Sequence, residues 1–487
     1  MSSKDILNLE PKAVWKNFHS ITQIPRPSGK KEEIGKFLVD FGKSLGLEAM
    51  QDEIGNVLVR KPATSGMENR KSVILQAHMD MVPQKNSDVK HDFEKDPIQT
   101  IVDGEWVRAN NTTLGADNGI GVAAAMAVLE STDIPHPAIE MFITADEETG
   151  MYGAFGLQPD FLQGDILINM DSEDEGELYV GCAGGLDANI TFRYKEEEMP
   201  ADDVAFKVSL TGLKGGHSGV DIHLQRANAN KLIFRFLKAA VAEREVRLCS
   251  IECGNLRNTI PREGFAVITV PKGNEESLLE AVAEFETLFI EEYKGVEDTI
   301  RFTAEKTEKV SGLMPEEVQD DLINAVTACP NGVYRFIDDV PDVVETSNNL
   351  AIVSSDGGKI EVKCLIRSSV ESRKEELASM IESLFSLAGA KVEFSGDYPG
   401  WEPNLESPIL KEMTKIYERD FGEAPKIMII HAGLECGILG RNYPDMDMIS
   451  FGPTIRFPHS PDEKVNIETV QKFWKYLKAT LADIPKK

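Results

Sequence analysis

The chain has 487 residues, 41% of them hydrophobic and 27% charged. This is the composition of an ordinary globular protein, at a length beyond the reach of one hydrophobic core, so at least two domains are expected. Lys and Arg number 52 against 81 Asp and Glu, a formal net charge of -29. Such a surface repels phosphate backbones and anionic lipid, and so argues against nucleic-acid and membrane partners.

The opening MSSKDILNLEPKAVW has no apolar h-region, so no signal peptide is expected. The first helical pattern, KKEEIGKFLVDFGKSLGL, stops at Gly46. NVLVRKP and SVILQAHMD follow as short β-rich runs, then NGIGVAAAMAVLEST as a buried helix. Its apolar stretch GIGVAAAMAVL is too short to span a bilayer. IEMFITADEE and DILINMDSED are apolar strands that each end in acids. Strands alternating with helices predict an α/β domain, its sheet mostly parallel and covered by helices on both faces. Ligands of such sheets sit beyond the carboxyl ends of the strands.

From about Leu186 the texture becomes α+β, with half-exposed strands such as AFKVSLTGL and EGFAVITVP. The stretch beginning GNLRNTIPREGFAVITVP resembles the later one beginning SNNLAIVSSDGGKIEVKC. Each runs from Asn-Leu through two strands to an amphipathic helix. An internally duplicated insertion is one explanation, and chance likeness of two β-β-α units is the other. After YPGWEPN the βα texture returns and ends in the capped helix NIETVQKFWKYLKATLADI. Residues 1–186 and 401–487 are therefore expected to form one domain and 187–400 a second. The six cysteines are scattered, with no C-x-x-C, and the closest pair is Cys249 and Cys253. Reduced thiols in a cytoplasmic protein are expected.

Three strand ends carry chemistry. His78 and Asp80 form an H-x-D, with both side chains on one face if the segment is extended. A hydrogen-bonded surface pair is the commonest fate of such a motif, but the spacing also suits a metal-ligating histidine whose other ring nitrogen is held by Asp80. Asp117, in GADNG, leads into a helix, where an aspartate usually caps; its two oxygens could instead bridge two cations. Asp171 is the acid of DSEDE placed at a strand end, and a solvated loop explains the rest. Glu147 and Glu148 follow an apolar strand, and adjacent residues of an extended chain point to opposite sides. One can ligate a metal while the other accepts a proton. His459, flanked by prolines in FPHSP, sits in a stiff loop. Mixed nitrogen and oxygen donors suit zinc, with cobalt or manganese as substitutes.

HMD, GADNG, DEETG, NMDSED and PHSPDE, in this order and spacing, resemble the dizinc exopeptidase family. Within it they are most similar to the aminoacyl-histidine (Xaa-His), carnosine-type dipeptidases. The likeness runs over essentially the whole chain. It implies two zinc ions bridged by Asp117, one held also by His78 and Asp171, the other by Glu148 and His459. It implies Asp80 as the histidine-orienting aspartate and Glu147 as the general base. In the inserted domain, a lid in the family, it implies that His217 of GLKGGHSG polarises the scissile carbonyl. Asn258 and Arg367 would touch substrate, and the loop around Gly433 would receive the substrate's free carboxylate.

The resemblance thus implies hydrolysis of dipeptides with a free C-terminus by metal-activated water, Xaa-His dipeptides such as carnosine among them. N-acyl amino acid deacylation or carboxypeptidase action in the same site is the alternative. A non-catalytic metal-binding protein would have no use for Glu147 and His217. The expected partner is a small peptide substrate, and the expected assembly a homodimer. If the lid is duplicated, a monomer could supply both halves, with His217 serving its own site.

Overall fold

The computed structural model describes residues 3–487 except 309, 311, 339 and 341. The chain divides into two compact units. The first comprises Met1–Gly181, Trp401–Ile429 and Leu434–Lys487; the second comprises Cys182–Gly400 and Ile430–Gly433.

The first unit is built on an eight-stranded sheet. Its centre is parallel: Val73–His78 lies between Ile139–Thr144 and Ile166–Asn169, and Asp447–Ser450 extends the parallel set. The strand residues Val73–His78, Ile139–Thr144 and Ile166–Asn169 are buried throughout. That is the near-continuous apolar run expected of strands covered on both faces. The flanks are antiparallel, Glu48–Gln51 and Val57–Lys61 at one side and Glu177–Cys182 at the other. The parallel arrangement foreseen from the βα alternation therefore holds for the central four strands, and the sheet as a whole is mixed.

The helix Ala116–Glu130 is almost wholly buried. Its run of alanines lets it pack closely against the strand Val73–His78 and the helix Lys12–Thr22. Ser407 caps the helix Pro408–Phe421, which has proline in its first turn, and Asn466 caps Ile467–Asp483. The register sets His78 beside Thr144 and Gln76 beside Asn169. The ends of these strands, and the residues just beyond them, thus share one rim.

A second, four-stranded sheet in the same unit was not foreseen from the sequence. It joins the hairpin Ile455–Arg456 and Lys464–Asn466 to Trp106–Ala109 and Thr100–Asp103. This sheet carries the 457–463 loop alongside the segment that leads to Asp117.

The second unit holds a nine-stranded sheet and the helices Ala229–Arg244, Glu275–Glu292, Glu316–Ala328 and Glu371–Leu387. Its core is rich in phenylalanine, with Phe206, Phe234, Phe236, Phe289, Phe302 and Phe385 buried. The later of the two similar stretches folds as the antiparallel strands Val344–Asp356 and Lys359–Ser368 followed by the helix Glu371–Leu387. The earlier one, which begins at Gly254, differs: its first strand is only Thr259–Ile260, paired with Gly216–His217, while Gly264–Val270 pairs with the preceding Arg247–Cys253 and leads to the helix Glu275–Glu292. All six cysteines are buried. Among the described residues, no helix is long and apolar enough to cross a membrane.

Candidate metal centre and active-site residues

His78 is the last residue of its strand, and it is 1% exposed. Its Nε2 lies 2.9 Å from Asp117 Oδ1 and 3.2 Å from Asp171 Oδ1. The other oxygen of Asp117 lies 3.2 Å from His459 Nε2, which also stands 3.0 Å from Glu148 Oε2. Five side chains from distant parts of the chain thus form two groups that share Asp117. Single donor atoms of His78, Asp117 and Glu148 lie within 4.8 Å of one another.

Asp117 does not cap its helix. The helix Ala116–Glu130 begins at Gly115, which has φ 69°, and Asp117 itself is non-helical at φ -78°, ψ 111°. Asn118 donates to Asp171 Oδ1 from its side-chain amide, and the backbone N–H of Asp171 donates to Asn169 Oδ1 at 3.2 Å. Asp171, and with it the His78 group, is therefore tethered by the buried amides of Asn118 and Asn169.

The two glutamates differ from the sequence expectation. The strand ends at Thr144, and Glu147 and Glu148 lie on a turn beyond it, after Asp146 at φ 54°. Strand alternation therefore does not separate their side chains. Asp80 fixes the turn: its Oδ1 accepts from the Glu147 N–H at 3.0 Å, and its Oδ2 from the Glu148 N–H at 3.3 Å and from Ser28 Oγ at 2.7 Å. Asp146 is itself held by the Gly29 N–H at 2.6 Å and Lys31 Nζ at 3.0 Å. His78 Nδ1 lies 3.1 Å from the Asp80 carbonyl and 3.5 Å from its carboxylate.

The electrostatics describe a site with too many carboxylates for its protein cations. Burial raises Glu147 well above the ordinary carboxylate range, and Asp171, Glu435 and Glu148 add to that while His78 opposes it. Burial also raises Glu148 and Asp171. Burial would raise Asp117 as well, but hydrogen bonds from His459 and His78 hold it low. His459, hydrogen-bonded to Asp117 and Glu148, is pushed up to about 11. Burial would lower His78, yet Asp171, Asp117 and Asp80 hold it well above its ordinary value. Glu148 Oε1 is buried and has no hydrogen-bond partner. Clustered carboxylates, two imidazoles and an orphaned buried oxygen fit divalent cations, which offset such repulsion.

In the second unit, His217 belongs to the short strand Gly216–His217, paired with Thr259–Ile260 next to Asn258. Its Nδ1 accepts from the backbone N–H groups of Gly219 at 3.2 Å and Val220 at 3.0 Å. That pattern assigns the ring proton to Nε2. Burial and the Arg367 charge push His217 down to about 4, so the ring is neutral near pH 7. Arg367 is 5% exposed, donates to the Tyr398 hydroxyl at 2.8 Å, and keeps its Nε without a partner. Gly219 sits so close to the His431 carbonyl that an added Cβ would lie 2.0 Å from it and 3.2 Å from Arg367 Nε. Asn258 is exposed, and its carbonyl accepts from the Ser218 N–H at 2.8 Å. Gly433 lies two residues beyond His431, in the loop after Lys426–Ile430.

Several buried polar residues escaped the sequence reading. Glu173, read there as part of a solvated loop, is half-buried, and burial followed by Asp117 and Asp171 pushes it up to about 9. Glu435 is fully buried and accepts from Gln76 Nε2 at 2.5 Å and Thr144 Oγ1 at 2.7 Å. His431 is buried, with Nε2 2.7 Å from Ser347 Oγ and Nδ1 unpartnered. Glu463 is 2% exposed and accepts from a row of backbone amides around Asp117. The signals available were the PHSPDE and HAGLEC motifs, but nothing local distinguishes their acids from surface ones.

Residues 74–483 match the model of Peptidase family M20/M25/M40. The chain is 47% identical over 483 residues to the cytosol non-specific dipeptidase of Escherichia coli (strain K12), covering 99% of this chain and 100% of the relative. Its structure is similar to that of the aminoacylhistidine dipeptidase from Vibrio alginolyticus, with a TM-score of 0.93, 49% identity and 99% of both chains covered. The aminopeptidase PepT from Bacillus cereus shares the fold at 16% identity and a TM-score of 0.58, over 98% of this chain and 99% of that one. With a family model spanning most of its length and a near-half-identical relative covered end to end, the chain belongs to peptidase family M20/M25/M40.

Proposed function

We propose that the chain is a metal-dependent dipeptidase that hydrolyses dipeptides with a free carboxyl terminus, Xaa-His dipeptides such as carnosine among them. One group, His78, Asp171 and Asp117 Oδ1, would hold one zinc ion. The other, His459, Glu148 and Asp117 Oδ2, would hold a second. Cobalt or manganese would substitute. The bound ions would lower the pKa of water and polarise the substrate carbonyl.

The protein's own groups do the rest. Glu147, the half-buried carboxylate beside both groups, takes a proton from the attacking water and returns it to the leaving amine. Asp80 holds the turn that carries Glu147 and Glu148, and orients His78. His217, neutral with its proton on Nε2, is a donor suited to the oxyanion. Arg367, Asn258 and the Gly433 loop bind the substrate, with Arg367 and the loop taking its carboxylate. Residues 1–186 and 401–487 act as the catalytic domain and 187–400 as the lid. The enzyme works in the cytoplasm as a homodimer, or as a monomer if the lid is duplicated and serves in place of a second subunit.

The observation that carries this reading is the Asp117 carboxylate, one oxygen facing His78 and the other His459. The names of the E. coli and Vibrio relatives support the dipeptide substrate. The test is hydrolysis of carnosine, other dipeptides, tripeptides and N-acetyl amino acids by metal-free and zinc-loaded protein. Zinc-dependent cleavage confined to dipeptides supports the reading. Preferred cleavage of acetylated amino acids or longer chains overturns it in favour of a deacylase or carboxypeptidase.

A further inference from the structure

We infer that Glu463 is a positioning residue: its carboxylate gathers the backbone N–H groups of Leu114 to Asp117 and thereby holds the Asp117 carboxylate where it joins the two donor groups. The inference rests on the proposed metal-dependent hydrolysis and adds a residue that acts through Asp117.

The physical problem is local. The Asp117 oxygens face His78 and His459, so they take none of the backbone N–H groups around the start of the helix, and a buried N–H without a partner is costly. Glu463, 346 residues from Asp117, takes the four N–H groups from Leu114 to Asp117. Its Oε2 accepts from Leu114 N–H at 2.7 Å and Gly115 N–H at 2.9 Å, and its Oε1 from Ala116 N–H at 2.7 Å and Asp117 N–H at 3.3 Å. One buried carboxylate thus satisfies four successive donors.

The opposite side of the loop is held by Arg26, which is 2% exposed. Its guanidinium donates to the Gly115 carbonyl at 2.5 Å and to the carbonyls of Met79 at 2.9 Å and Asp80 at 3.0 Å. Gly115 is at φ 69°, and a Cβ there would lie 2.4 Å from Arg26 Nη2, so the loop's path depends on glycine. Arg26 therefore ties the Asp117 loop to the strand end that bears His78. Glu463 ties it to the hairpin loop that bears His459, four residues earlier in the chain. The small sheet sets the register of that second link, pairing Val465 with Val107. The separation of the two donor groups is fixed on both sides of Asp117.

Removal of such an outer support commonly costs about 10–100-fold in metal affinity. The experiment compares wild type, Glu463→Gln and Glu463→Asp by zinc titration against a competing chelator, and by carnosine hydrolysis across zinc concentrations. The expected result for Glu463→Gln is zinc binding weakened by about tenfold or more in at least one step. Turnover falls with KM little changed, and excess zinc restores part of it. A residue needed only for folding would lower the melting temperature and leave zinc affinity per folded chain intact; that outcome overturns the inference. If Glu463→Gln does not fold, Glu463→Asp and amide exchange in the wild type decide. Slow exchange of Leu114 to Asp117 in the metal-free protein is expected, and fast exchange overturns the inference. Wild type without zinc-dependent hydrolysis would instead sink the proposed function, a result distinct from wild-type activity with unaltered zinc binding in the variant.

Discussion

Asp117 stands between His78 and His459, with Oδ1 2.9 Å from one Nε2 and Oδ2 3.2 Å from the other. A carboxylate used at both oxygens cannot be replaced by an amide, which offers one acceptor and one donor. Asp117→Asn is expected to weaken zinc binding by at least about 100-fold and to abolish carnosine hydrolysis at stoichiometric zinc. Isothermal titration with zinc and a hydrolysis assay check this. Wild-type affinity in the variant would remove Asp117 from the centre of the account.

Glu147 is half-buried beside the donor groups, and desolvation leads the shift that holds its pKa well above the ordinary range. A general base of this kind contributes about 10²–10⁴-fold to rate. Glu147→Gln should lose that factor in kcat while binding zinc in the wild-type stoichiometry. Single-turnover assays alongside metal analysis separate the two effects. Wild-type turnover in this variant would assign the base elsewhere.

Arg367 is a buried guanidinium with Nε unpartnered, near the neutral His217. Hydrogen bonds to charged groups contribute about 1.5–3 kcal/mol, or roughly 10–100-fold in kcat/KM. Arg367→Met should lose that factor on dipeptides with a free carboxylate. On the same dipeptides amidated at the C-terminus the loss should be much smaller. Equal losses on both would show that Arg367 does not read the carboxylate.

The histidines of the second unit give a pH signature. Burial, with the Arg367 charge, pushes His431 down from its ordinary 6.5 to about 3 and His217 to about 4. The unfolded chain therefore takes up these protons at a higher pH than the folded one does. Folding is favoured above about pH 6.5, and that contribution is lost as pH falls towards about 4 and about 3. The slope is at most about 1.4 kcal/mol per pH unit for each histidine. Urea denaturation of wild type and His431→Asn between pH 7.5 and 5 checks it: the stability gap between the two should narrow on acidification. A gap independent of pH would show that His431 is not held neutral by the fold.

Much of this was legible in the sequence because strands announce themselves. Val73–His78 and Ile166–Asn169 are apolar runs whose next polar residues had to lie at the sheet's rim. His78, Asp171 and the Glu147–Glu148 pair were found that way. The conformation of the pair was not, because it depends on Asp80 accepting from both backbone amides, a contact spanning 67 and 68 residues. Glu463 and Glu435 were missed for a related reason. An acid in a loop looks the same whether it faces water or four buried N–H groups, and only the fold brings those groups to it. The four-stranded sheet escaped because strands as short as Ile455–Arg456 leave no periodic signal.

The most direct measurement is a crystal of the protein grown with zinc, with anomalous scattering recorded at the zinc edge. The account predicts two peaks bridged by the Asp117 carboxylate, one in contact with His78 and Asp171 and the other with His459 and Glu148. A single peak, or zinc bound away from Asp117, would contradict it.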